Sequence, residues 1–95
     1  MPGEKTYPLN ESFLRAAIRE SAALQNWGES TNLVEGAIVF TSALYGLRHK
    51  YCFTLVETES GTSVRIETDN FGAREEIQRQ FLLLEKIISS KEVIN

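Results

Sequence analysis

A short basic and aromatic segment holds the most concentrated set of chemically capable side chains in this sequence. Arg48, His49 and Lys50 are consecutive, and Tyr45 and Tyr51 flank them. Guanidinium and ammonium groups bind anions, and aromatic rings stack on flat ligands. The segment therefore predicts a hairpin loop that binds a small anionic ligand. The alternative interpretation is a solvated loop whose charges protect a neighbouring hydrophobic strand from aggregation.

A nucleophile is the second chemistry to consider, because Cys52 lies three residues after His49. Residues three apart on one strand point to opposite faces, so the two side chains meet only if His49 belongs to the loop and bends back. A catalytic thiol also needs groups that stabilise its thiolate, and no local motif supplies them. We therefore predict no catalytic residues.

Metal and nucleotide sites have equally little support. The strand-patterned region contains several carboxylates, but their spacing matches no metal-binding motif, and one histidine does not build a common zinc site. These residues are Glu35, Glu57, Glu59, Glu67 and Asp69. The glycines are too dispersed for a phosphate-binding loop. The sequence predicts neither a metal nor a cofactor.

Composition narrows the class of protein. A chain of 95 residues suits one domain, spanning residues 1–95. Its net charge of -3 argues against nucleic acid and acidic membranes as partners. No apolar run reaches the roughly 18 residues of a membrane span. The lone Cys52 suits a reducing compartment, and no signal peptide is evident, so we expect a cytoplasmic protein.

Hydrophobic spacing predicts the elements that position these residues. Helical patterns cover residues 10–27 and 72–90, and they flank a block of three strand patterns at residues 33–43, 50–58 and 62–68. This order predicts the α+β class: a small two-layer sandwich with a three-stranded antiparallel sheet between the two helices in sequence. Residues 5–7 are compatible with a short N-terminal edge strand that ends at Pro8.

Turn signals suggest how the strands pair. A two-residue turn at Ser60 and Gly61 places Leu55 opposite Ile66 and Phe53 opposite Thr68. A loop over residues 45–48 places Phe40 opposite Phe53 and Ile38 opposite Leu55. Both choices put the same large side chains on the face predicted to meet the helices. These are Ile38, Phe40, Phe53, Leu55, Val64 and Ile66.

The other sheet face is also partly apolar. Leu33, Ala37, Val39 and Val56 alternate onto it, and Leu82 lies outside the main stripe of the second helix. Two helices on one face would leave this strip for a partner, a ligand or self-association. One helix on each face would instead make it ordinary core. The five residues are the predicted interface.

Three functions follow, in order of preference. The first is a non-enzymatic binding or assembly module that self-associates, or binds a protein partner, through a sheet face or edge. The second is a domain that binds a small anionic ligand at residues 45–51. The third is a minor enzyme subunit, and it ranks last because no catalytic constellation is visible. The order of helix, three antiparallel strands and helix resembles many small bacterial domains, and that resemblance transfers no site.

Overall fold

The computed structural model of the chain describes residues 3–30, 36–44, 47–70 and 72–93. These residues form two helices and five strands. They are β1 (Glu4–Tyr7), α1 (Glu11–Leu24), β2 (Gly28–Glu29), β3 (Ala37–Leu44), β4 (Leu47–Thr58), β5 (Gly61–Thr68) and α2 (Ala73–Val93). The predicted α+β class is confirmed.

The strands form one antiparallel sheet in the order β1-β5-β4-β3-β2. The predicted three-stranded sheet was therefore too small, since the described residues form five strands. Strand β1 is the N-terminal edge strand with which the sequence was compatible. Strand β2 has only two residues, paired with Thr41 and Phe40, and so short a segment shows no alternation in sequence.

The predicted register was wrong by two residues in both hairpins. Leu55 lies opposite Val64, and Phe40 lies opposite Tyr51. The β4–β5 ladder extends to Thr58 and Gly61, so its turn lies one residue earlier than predicted. A two-residue shift keeps every side chain on its predicted face, because side chains alternate with a period of two.

Gly61 serves the packing of β1 rather than the turn. Its φ of +143° is unfavourable for other residues, and a Cβ built there would lie 1.9 Å from the carbonyl oxygen of Tyr7. The approach of β1 to β5 at this point therefore requires glycine.

Helix α1 begins as predicted and ends earlier. The Asn10 side chain accepts a hydrogen bond from the Phe13 amide and caps the helix. Asn26 adopts the left-handed conformation after the helix, with φ of 60°. Leu24, the last residue of the helix, is 67 % exposed.

Every strand residue classed as buried lies on one sheet face, and both helices pack against that face. The helices contact each other, and their inward residues join those of the sheet in one core. Phe81, Leu84 and Ile88 of α2 are buried, as are Leu14, Ala17 and Ile18 of α1. We call the covered side the helix face and the opposite side the outer face.

A polar seam crosses the boundary between the two helices. The side chain of Gln80 is 1 % exposed. Its amide nitrogen donates to Gln25 at 2.8 Å and to Glu76 at 2.9 Å, while Gln25 donates back to Gln80 at 3.0 Å. This reciprocal pair of amides fixes the end of α1 against α2, because a buried amide left without partners is costly.

Candidate functional site

The outer face presents small and polar side chains. Its described residues from β3 and β4 are Ala37, Val39, Thr41, Arg48, Lys50, Cys52, Thr54, Val56 and Thr58, and those from β5 and β1 are Ser63, Arg65, Glu67, Glu4 and Thr6. All of them are partly or fully exposed. No described helix covers this face.

Strand pairing arranges this face into rows that run across the sheet. Ala37 on β3 pairs with Thr54 on β4, which pairs with Arg65 on β5. The adjacent row contains Val39, Cys52 and Glu67 in the same order. From β3 to β5, each row runs from an apolar residue through a small one to a charge, and the two β5 charges have opposite signs. The first row continues to Glu4 on β1, opposite Arg65.

The predicted anion-binding residues do not form one cluster. Arg48 and Lys50 are exposed on the outer face, whereas His49 alternates to the helix face. All three belong to β4 rather than to a hairpin loop. Tyr45 lies outside the described residues. The alternation of β4 also places Cys52 on the face opposite His49.

Tyr51 is a core residue in the structure, with 3 % exposure. Its ring stacks on Trp27 at a centroid distance of 4.0 Å, and its hydroxyl accepts a hydrogen bond from the Asn70 side chain at 3.0 Å. Burial raises the pKa of the Tyr51 phenol. The tyrosine therefore stabilises the sheet beneath α1 and does not lie beside the two exposed basic side chains.

An acidic residue occupies the end of the basic segment. The Asp69 carboxylate accepts a hydrogen bond from the Lys50 amide at 3.0 Å, and it lies 3.6 Å from His49 Nδ1. A shallow cavity of about 260 Å³ opens there on the outer face, lined by Lys50, Cys52, Glu67, Thr68 and Asp69. The Glu67 and Asp69 carboxylates therefore line the same cavity as the Lys50 ammonium group, to which an anion would bind.

The predicted interface residues occupy two separate surfaces. Ala37 and Val39 are partly exposed on the outer face, where Val56 is 56 % exposed. Leu82 is 62 % exposed on α2, on the other side of the sheet. The structure therefore does not bring Leu82 together with the others. Leu33 lies outside the described residues.

A second depression, of about 660 Å³, follows the surface of α2. Its lining residues are Arg79, Leu82, Leu83, Glu85, Lys86 and Ser89. They all belong to one helix, so no other described element encloses the space. A ligand there would keep much of its surface in water, unlike one in a concave binding pocket.

At the edge of this depression, Glu85 joins α2 to β1. Its carboxylate accepts hydrogen bonds from the Tyr7 hydroxyl at 2.8 Å and from Lys5 at 3.0 Å. Sequence reasoning missed this group, because residues separated by most of the chain leave no local signal. The contacts fix the edge strand to the helix layer.

Two pKa shifts follow from this contact. Burial, together with the neighbouring Glu85 carboxylate, raises the pKa of Tyr7 far above its usual range. Burial also disfavours ionised Glu85, but the hydrogen bonds from Tyr7 and Lys5 outweigh that effect and hold the pKa of Glu85 below its usual value. Tyr7 is therefore a neutral donor and Glu85 an ionised acceptor at neutral pH.

The described residues contain no group of three or more His, Cys, Asp or Glu side chains arranged to hold a metal ion. Within the same part of the chain, neither helix combines the length and hydrophobicity needed to cross a membrane. No protein-family model matches the sequence, and a search of curated proteins finds no match either. The outer face is the strongest functional candidate on geometry alone.

Proposed function

We propose that this protein is a non-enzymatic assembly module that self-associates through the outer face of its sheet. One observation carries the proposal: every strand residue classed as buried lies on the helix face, and no described helix covers the other. The central outer residues Ala37, Val39, Cys52 and Thr54 are small, so a second sheet can approach closely. A symmetric dimer would bury this face against its own copy.

Sedimentation at several protein concentrations tests the proposal directly. Wild-type protein should shift from monomer to dimer as its concentration rises through the micromolar range. Val39→Glu places a charge at the centre of the face, where interfaces are depleted of charge, and should weaken association at least tenfold, by about 1.4 kcal/mol or more.

Leu82→Glu is the matched control. It adds the same charge at an exposed apolar residue on α2, away from the outer face, and should leave dimerisation unchanged. A wild-type protein that stays monomeric at high micromolar concentration contradicts the proposal. If only the Leu82 variant fails to dimerise, the interface lies on the helix layer instead of the outer face. Circular dichroism must show that each variant is folded.

Anion binding at β4 is the second candidate. The observation in its favour is that Arg48 and Lys50 are exposed on one face, two residues apart, and neither has an ion-pair partner among the described residues. It ranks second because Glu67 and Asp69 line the adjoining cavity and would repel an anion.

Titration with inorganic phosphate and polyphosphate tests this candidate. Arg48→Ala combined with Lys50→Ala should weaken binding and reduce its dependence on salt. The free energy of unfolding should change by less than about 0.5 kcal/mol, as for other surface substitutions. Arg74→Ala combined with Lys86→Ala removes the same charge elsewhere and is the control. Equal affinity in both double variants would exclude the β4 site.

A further inference from the structure

The two central rows of the outer face carry opposite charges at equivalent positions on β5. On β5, Arg65 belongs to the row that begins at Ala37 and continues to Glu4 on β1, and Glu67 belongs to the row that begins at Val39. Both side chains are exposed, and neither forms an ion pair with another described residue. If a second copy is rotated by a half-turn about a line that runs between the two rows, the positive charge of one copy lies over the negative charge of the other.

Two identical sheet faces can pack about a twofold axis along the strands or across them. An axis along β4 would place β5 of one copy over β3 of the other. Arg65 and Glu67 would then lie against Ala37 and Val39, where they lose water without gaining a partner. An axis across the strands instead places each strand over its own copy.

We infer that two copies of this chain pack with their twofold axis across the strands, between the row of Ala37, Thr54 and Arg65 and the row of Val39, Cys52 and Glu67. This inference rests on the proposed self-association and adds its geometry. Arg65 of each copy then pairs with Glu67 of the other, and the two pairs are equivalent by symmetry. The Ala37 and Val39 side chains of both copies meet over β3.

The dimensions of packed sheets suit this arrangement. Residues two apart on a strand are separated by about 7 Å, and packed sheets lie about 10 Å apart. The half-turn places residue 65 of one copy over residue 67 of the other. Arginine and glutamate side chains directed toward each other span such a gap, while the smaller residues of the same two rows on β3 and β4 permit the approach.

Charge reversal tests the inference with a predictable pattern. Arg65→Glu puts four carboxylates at the interface of its homodimer, and Glu67→Arg puts four guanidinium groups there. Each single variant should dimerise at least tenfold more weakly than wild type. Arg65→Glu combined with Glu67→Arg should restore dimerisation, because the exchanged charges are again complementary under the same axis.

A mixture of the two single variants gives the sharpest result. A heterodimer of Arg65→Glu with Glu67→Arg has an opposite-sign pair at both contacts, so mixing them should produce a dimer that neither forms alone. Sedimentation of the separate and mixed samples measures this, and added salt should weaken the rescue. Arg74→Glu, on exposed α2 surface, is the control and should dimerise like wild type.

The outcomes separate this geometry from the proposed function. The proposed axis is wrong if the wild type is dimeric and the single variants dimerise equally well. It is also wrong if the exchanged variant and the mixture remain monomeric. Both outcomes leave self-association itself intact. A monomeric wild type overturns both. If a reversal prevents folding, Arg65→Gln and Glu67→Gln replace it in a double-variant cycle, where additive losses would contradict a direct pair.

Discussion

The two faces of the sheet differ in what their side chains do for the fold. The helix face carries Phe40, Phe53 and Ile66, each at most 2 % exposed, whereas the outer face carries small and charged residues along the same strands. Burial of large apolar side chains is the main source of folding free energy. Stability is therefore concentrated on one face, which leaves the other free to change with little effect on folding.

The largest change in the free energy of unfolding is expected for a core residue that packs against the helix face. Phe81→Ala removes a buried ring from the helix layer and should lower the free energy of unfolding by about 3–5 kcal/mol. Val56→Ala removes an exposed side chain from the outer face and should cost less than about 0.5 kcal/mol. Urea unfolding followed by fluorescence of Trp27, the single tryptophan, measures both.

Similar losses of stability in these two variants would contradict the claim that folding free energy is concentrated on the helix face. A large loss for Val56→Ala would mean that the outer face is covered within the folded monomer. A loss below about 1 kcal/mol for Phe81→Ala would show that this side chain is not part of the core.

An intermediate effect is expected at the polar seam between the helices. Gln25→Ala leaves the buried Gln80 carbonyl without its donor and should cost about 1–3 kcal/mol. Gln78→Ala, at an exposed position of α2, removes the same kind of side chain and should stay within about 0.5 kcal/mol. Equal urea midpoints for the two variants would show that the seam contributes nothing specific.

The smallest effect concerns Glu85 at the edge of the helix face. Its pKa is lower in the folded state, so its contribution is present above the unfolded glutamate pKa of about 4.3 and is lost as pH falls through the folded value. Glu85→Gln should cost less than about 1 kcal/mol at neutral pH, because the ion pair with Lys5 is partly exposed to solvent.

The same variant should lose less stability than wild type between about pH 5 and pH 3. Urea midpoints across that range give the comparison. Tyr7→Phe is the matched variant, since it removes one of the two hydrogen bonds that lower the Glu85 pKa. An unchanged pH dependence in Glu85→Gln would contradict the assignment.

Sequence identified the faces better than the pairing. Alternation assigns Phe53 and Ile66 to the covered face whether or not they are direct neighbours, and the structure pairs them. The two-residue error in the β4–β5 register arose because Gly61 resembles a turn residue, although contact with β1 explains its presence. No local pattern distinguishes these two reasons for a glycine.

The candidate sites were predictable only where alternation applied. The outer positions of Ala37, Val39 and Val56 follow from their strand spacing. Tyr51 was assigned to a ligand site because it adjoins Lys50 in sequence, but neighbours on a strand point in opposite directions. Its contact with Trp27 depends on how the end of α1 meets β4, which no short segment encodes.

The pairing of β1 with β5 has a consequence for the order in which the chain is made. Glu4 is synthesised before its partner Arg65, which follows only after β2, β3 and β4 are complete. Until β5 is made, β1 has no strand to pair with. Once β5 is made, it exposes an open edge until β1 pairs with it. Deleting β1 would leave residues 62–65 of β5 without their partner strand, so shortened chains should aggregate through strand addition.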